Sequence, residues 1–142
     1  MKLGVGLYIK NSVDAVNLYR EAFGLELGYH VKNPDGTYFH SELNKNGQEI
    51  LSVVESPNGN IQEHTVQLGI SFDNEAEVHN AYALLCDGGT IKTPIGPMPW
   101  TPCAAEVIDK FGVLWYITAP QHRPPDDYDS NKPWDPGMYK KP

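Results

Sequence analysis

The sequence predicts an α+β domain of two tandem βαβββ modules, their sheets forming one curved mixed sheet around a cleft. Three observations predict it. Each half opens on an alternating apolar strand, Val5 to Ile9 and Val66 to Phe72. Each strand is followed by one amphipathic helix and then by further strands. The order also repeats: sliding the first half forward by 63 positions sets Tyr19 on Tyr82 and Leu7 on Ile70, and a shift of 65 sets Gly47 on Gly112 and Leu51 on Tyr116. Either module alone is too small to bury its own sheet face, so two are needed. The domain is expected over residues 1–120, with modules at about 1–57 and 64–120 and a Pro-rich tail at 121–142.

Val5, Leu7 and Ile9 alternate with Gly4, Gly6 and Tyr8, which gives the first strand one apolar face. Asn11-Ser12 can cap a helix that lines up Val13, Val16, Tyr19 and Phe23 and stops at Gly24. A strand over Leu25 to Val31 precedes the turn Pro34-Asp35-Gly36, and Tyr38 to Leu43 forms the next strand. Asn46-Gly47 is the strongest hairpin signal and leads into Glu49 to Glu55. Pro57-Asn-Gly59 then breaks the pattern. In the second half, Asn74 with Glu77 makes a capping box for a helix carrying Val78, Ala81, Tyr82 and Leu85. Gly88-Gly89 ends it, and Asp109-Lys-Phe-Gly112 is the last hairpin turn.

Each module covers one sheet face with its helix and leaves the other open, and two open faces brought together make the cleft. Strand alternation assigns the side chains. Val5, Leu7, Phe39, Ser41, Leu43, Ile50, Val54, Leu68, Ile70, Trp115 and Ile117 should meet the helices. Gly4, Gly6, Tyr8, Tyr38, His40, Glu42, Glu49, Leu51, Gln67, Gly69, Ser71, Leu114, Tyr116 and Thr118 should face the cleft. That second set is polar, small or aromatic, as in a ligand site.

The formal charge of -7 argues against nucleic acid or an anionic membrane as partner, since both need a basic surface. No apolar run approaches the roughly 20 residues of a membrane helix. The start lacks the pattern of a signal peptide. Cys86 and Cys103, the two cysteines, form no disulfide framework or zinc motif. Together these features are expected of a cytoplasmic protein with reduced thiols.

The tandem order, with "VNLYREAFG" after the first strand and "DKFGVLWYI" near the end, resembles the vicinal oxygen chelate superfamily of glyoxalase I, bleomycin-resistance proteins and extradiol dioxygenases. "FHSELNKNGQEILSV" and "LCDGGTI" are similar to its PhnB-like branch, the 3-demethylubiquinone 3-methyltransferase-like proteins. The resemblance implies the glyoxalase-like fold over about Lys2 to Pro120, and a homodimer, since relatives commonly dimerise. It also implies four metal ligands in metal-dependent relatives, a His or Gln and a Glu from each half. Carried over, those places fall on Gly4, Leu51, Gln67 and Tyr116, and a one-residue slip on the fourth strand would bring Ser52 in place of Leu51. Such a set is poor for Zn, Ni, Fe or Mn, and a phenol is mostly protonated at neutral pH. The family's metal site is therefore expected to be absent, although a divalent ion on a relocated set (His40, Glu42, Gln67 and Glu106) is the alternative, with lyase or isomerase chemistry.

His40 and Glu42 sit two apart on one strand and share a face. Glu42 could accept a proton while His40 orients a substrate oxygen, so both are the candidate catalytic residues; the bland reading is a hydrogen-bonded pair at a wet edge. Tyr8, Tyr38, Gln67, Trp100 and Tyr116 are the candidate ligand-binding residues, the aromatics for stacking a planar small molecule. Met98 and Trp100 lie in a Pro-rich loop suited to a lid. Nothing basic near Cys103 activates its thiol, and His30, His64, His79 and His122 read as surface or edge residues. No strand–Gly-rich turn–helix unit supports methyl transfer. The tail, with Tyr128, Trp134 and Tyr139, reads as disordered, or else as an arm across a partner subunit or the cleft mouth. The expected function is binding of a small organic molecule, for sequestration or acid–base chemistry; a pure interaction module is the third reading.

Overall fold

The computed structural model describes residues 1–58, 65–124 and 129–141. It divides into two compact units, Met1–Glu63 and His64–Pro142. Unit 1 holds β1 (Gly6–Ile9), α1 (Ser12–Phe23), β2 (Glu26–Lys32), β3 (Tyr38–Lys45) and β4 (Gln48–Glu55). Unit 2 holds β5 (Leu68–Ser71), α2 (Glu75–Cys86), β6 (Thr90–Met98), β7 (Thr101–Ile108) and β8 (Leu114–Thr118). The sheet orders are β1-β4-β3-β2 and β5-β8-β7-β6. In each, the first strand runs parallel to the last and the other neighbours are antiparallel. Two βαβββ modules of one topology are present.

In unit 1, Ala15, Val16, Tyr19 and Phe23 of α1 are buried with Leu43, Leu51 and Val53 of the sheet. In unit 2, Val78, Ala81 and Leu85 of α2 are buried, as are Val107, Trp115 and Ile117. Each fully buried side chain of this size contributes about 1.5–3 kcal/mol. The helix stripes follow the predicted periodicity, with Val13 and Tyr82 only half-buried, and Leu43, Trp115 and Ile117 lie where alternation puts them, whereas Leu51 does not.

The helix starts differ. Asn74 caps α2 as expected, accepting from Glu77 N at 2.9 Å, and its side-chain amide, in place of the backbone N–H of a full capping box, donates to Glu77 Oε1 at 2.8 Å. Asn11 does not cap α1; it adopts a left-handed conformation (φ 68°) with no side-chain cap bond. The Glu55 carboxylate takes that role from the end of β4. It accepts from Asn11 N at 3.0 Å, and from Ser12 N and Ser12 Oγ at 2.9 Å each. An anion there also suits the positive end of the helix. Gly24 ends α1 in the left-handed region, as expected.

Two bulges reset the strand faces. Lys45 pairs with Gln48 across Asn46-Gly47, both at positive φ, the two-residue hairpin that the dipeptide predicts. Asn44 then pairs with Glu49, but Leu43 pairs with Leu51, so Ile50 is an extra residue on β4. A bulge of one residue reverses the alternation beyond it. Leu51 therefore turns inward at 2% exposure, and Ser52 takes its place on the open face. Val54 moves to the open side with it, and Ile50 is 39% exposed. A second shift leaves Phe39 unpaired between Val31↔His40 and Lys32↔Tyr38. Phe39 is consequently 64% exposed while Tyr38 is buried at 6%, the reverse of the expected assignment. In unit 2 the β7–β8 register runs without a shift, and Tyr116 stays on the open side of Trp115 and Ile117, which are buried. Leu114 and Thr118 are buried, where alternation alone puts them at an open face; Thr118 Oγ1 donates to Thr101 Oγ1 at 3.0 Å.

The described part of the tail is mostly exposed and makes a few contacts with its own unit. Trp134 Nε1 donates to Pro97 O at 3.0 Å, a 3-10 turn over Pro136–Met138 lies against β6, and His122 meets the Tyr139 hydroxyl at 3.1 Å. The indole reaches a carbonyl that a proline-broken strand leaves available. His64 and Tyr128 lie outside the described residues.

Candidate functional site

Register builds one row across the open face of unit 1: Gly6 pairs with Ser52, and Ser52 with Glu42. The next row holds Tyr8, paired with Val54, and His40, paired with Val31. His40 Nε2 lies 2.9 Å from Glu42 Oε2, with the two side chains 34% and 26% exposed. The Tyr29 ring stands 6.0 Å from the imidazole. Among the described residues, no partner bonds His40 Nδ1.

His40 also lines an open pocket of about 460 Å³ with Tyr8, Asn33, Phe39, Val54 and Glu55. Tyr8 is 70% exposed, so two aromatic faces stand at this pocket in water. A second pocket, of about 470 Å³, shares Asn33 and Glu55 and adds Lys10, Asp35, Thr37 and Ser56. Thr37 donates to the Asp35 carboxylate from its hydroxyl and its backbone N, which lowers the acid's pKa.

The matching row of unit 2 is Gly69, Tyr116 and Glu106. Its polar groups satisfy one another. Burial pushes the Glu106 carboxyl up, but hydrogen bonds from Thr93 and Gln67 and the charge of Lys92 outweigh it, leaving the pKa lowered. Trp100 Nε1 donates to Tyr116 Oη at 2.9 Å, and that hydroxyl donates to Gln121 Oε1 at 3.1 Å. Tyr116 thereby fastens the β6–β7 turn to the segment that leaves β8, where His122 N also donates to Trp100 O at 2.7 Å.

Of the expected residues, then, His40, Glu42 and Tyr8 gather on unit 1, whereas Gln67, Trp100 and Tyr116 belong to the bonded network of unit 2. Tyr38 lies inside, its ring edge-on to His30 at 5.8 Å. Phe39, Asn33, Val54 and Glu55 were not anticipated at a pocket. Simple alternation hides the first, because the bulge that exposes it leaves no mark in the sequence. Burial raises the pKa of the Cys103 thiol, with the Glu75 charge adding to it, which keeps the group a thiol. Among the described residues, no three His, Cys, Asp or Glu side chains group as metal ligands do, and no helix is long and apolar enough to cross a membrane.

The fold has many solved counterparts. The PhnB protein from Bacillus cereus, described as a 3-demethylubiquinone-9 3-methyltransferase, is 24% identical at a TM-score of 0.72, over 84% of this chain and 100% of its own. Protein PA1353 from Pseudomonas aeruginosa is 21% identical at 0.68, over 83% and 98%. A fosfomycin resistance protein from Listeria monocytogenes, complexed with Mn(II) and sulfate, is 15% identical at 0.62, over 84% and 89%. No curated protein matches the chain. At these identities the likeness establishes the fold. The family model matches residues 4–117, and on that match the chain belongs to the Glyoxalase/Bleomycin resistance protein/Dioxygenase superfamily.

Proposed function

We propose that this protein binds a small organic molecule on the open sheet face of its first unit, without the four-ligand metal site of metal-dependent relatives. The carrying observation is the pocket of Tyr8, Phe39 and His40, where large aromatic faces are left in water beside convergent polar groups. Donor chemistry supports the metal-free part. Gly4 has no side chain, Leu51 is turned inward, and Ser52 offers only a neutral hydroxyl. Gln67 is engaged by Glu106, and the Tyr116 hydroxyl already bonds Trp100 and Gln121. A divalent ion favours carboxylates and imidazoles with free lone pairs, so this set does not fit one.

The test is metal analysis of the purified protein together with melting shifts in Mn, Fe, Ni and Zn ions. The expected result is sub-stoichiometric metal and no shift. Stoichiometric metal lost on His40→Ala would replace this reading with the relocated set His40, Glu42, Gln67 and Glu106. A homodimer in the cytoplasm completes the proposal by analogy with the superfamily, and sedimentation velocity tests the dimer.

A further inference from the structure

Unit 1 contains a carboxylate–imidazole pair whose polarity the geometry fixes. A carboxylate only accepts hydrogen bonds, so the ring nitrogen 2.9 Å from Glu42, Nε2, carries the proton. In the neutral ring the lone pair is then at Nδ1. That nitrogen has no partner among the described residues, and His40 lines the pocket.

The groups around His40 complete the picture. Glu42 lies on its own strand, Glu55 on β4, Tyr8 on β1 and Tyr29 on β2, with neutral Asn33 beyond β2. The Glu55 oxygens accept three bonds from the start of α1, so Glu55 does not compete for the imidazole proton. The remaining wall is apolar and flat: Tyr8, Phe39 and Val54. Two rings at 70% and 64% exposure gain most from covering by another planar group.

We infer that His40 acts as a general base through Nδ1, with Glu42 as its positioning residue, on a flat aromatic or enolic molecule that carries an acidic hydroxyl. This rests on the binding reading above and goes further by assigning the base and the ligand class. The sequence pattern suggested the opposite division of labour, with Glu42 taking the proton. In the step, the hydroxyl O–H bond breaks, its electron pair stays on oxygen as phenolate or enolate, and the proton bonds to Nδ1. The resulting imidazolium is held by the Glu42 carboxylate, and no further reagent is needed.

The probe is 4-nitrophenol, whose anion absorbs visibly, titrated with the full-length protein while equilibrium dialysis measures binding. The bound phenol should ionise about one pH unit below the free phenol. His40→Gln should abolish that shift and Glu42→Gln should shrink it, whereas Phe39→Ala should weaken binding several-fold and leave the shift of the bound phenol in place. His40 is about a third exposed and Gln at 42 keeps an acceptor, so both variants should melt like the wild type. Binding without an ionisation shift, or a shift that survives His40→Gln, overturns the base assignment and leaves the binding reading intact. No binding at all overturns both.

Discussion

The two open faces share a register and differ in what their polar groups do. Gly6, Ser52 and Glu42 in unit 1 match Gly69, Tyr116 and Glu106 in unit 2. In unit 2, Glu106 is bonded by Thr93 and Gln67 and paired with Lys92, and Tyr116 bonds Trp100 and Gln121. In unit 1, the neighbouring row presents a ring nitrogen with no partner among the described residues and two exposed aromatic faces. Side chains satisfied by their own fold hold structure. The row of His40 and Tyr8 in unit 1 is less engaged by its own fold among the described residues, and the difference follows from partner supply rather than from strand geometry.

That contrast can be broken by stability measurements. The largest loss is expected for Asp109→Ala in unit 2. Asp109 is 3% exposed and accepts from Phe111 N, Val113 N and Trp115 Nε1, at 2.9, 3.0 and 2.8 Å. Its removal leaves three donors unpaired at a buried turn and should cost about 3–5 kcal/mol in urea denaturation. Glu55→Ala, which uncaps α1, should cost about 2 kcal/mol. Trp100→Phe should cost about 1 kcal/mol through the lost bond to Tyr116. His40→Gln should stay within about 0.5 kcal/mol of wild type; a loss as large as that of Trp100→Phe would erase the distinction between the faces.

Acid titration sharpens the same point with a smaller effect. The Glu106 pKa is lowered in the folded protein from its ordinary 4.5. A depressed carboxyl contributes stability that is present above the unfolded pKa and is lost as pH falls through the folded one. Glu106→Gln should therefore flatten the fall in melting temperature below about pH 4.5. An unchanged slope would remove Glu106 from the network.

What the sequence made legible was whatever local chemistry decides. The Asn46-Gly47 turn, the Asn74–Glu77 box, the Gly24 stop and both apolar helix stripes depend on residues a few positions apart. What it hid depends on distant partners or on an unmarked extra residue. Glu55 caps a helix that begins 43 residues earlier, and nothing around Asn11 announces that its own side chain will be idle. The bulges at Ile50 and Phe39 look like ordinary strand. Without them alternation puts Leu51 and Tyr38 on the open face; with them Ser52, Val54 and Phe39 stand there. His40 and Glu42 were placed together correctly because no bulge falls between them. The bond from Trp134 to the Pro97 carbonyl was equally hidden, because composition counts prolines and not a partner 37 residues away.

The Ile50 bulge works on side chains as a frameshift works on codons. Every residue from Leu51 to the end of β4 keeps its identity while its audience changes, core for solvent. Deleting that single residue would leave Glu49 opposite Asn44, Leu51 opposite Leu43 and Ser52 opposite Glu42, a regular ladder in which every later side chain keeps the face it has now. A lineage with this scaffold can thus gain or lose one residue at this point and keep the wall beyond it unchanged, because the bulge absorbs the difference in length.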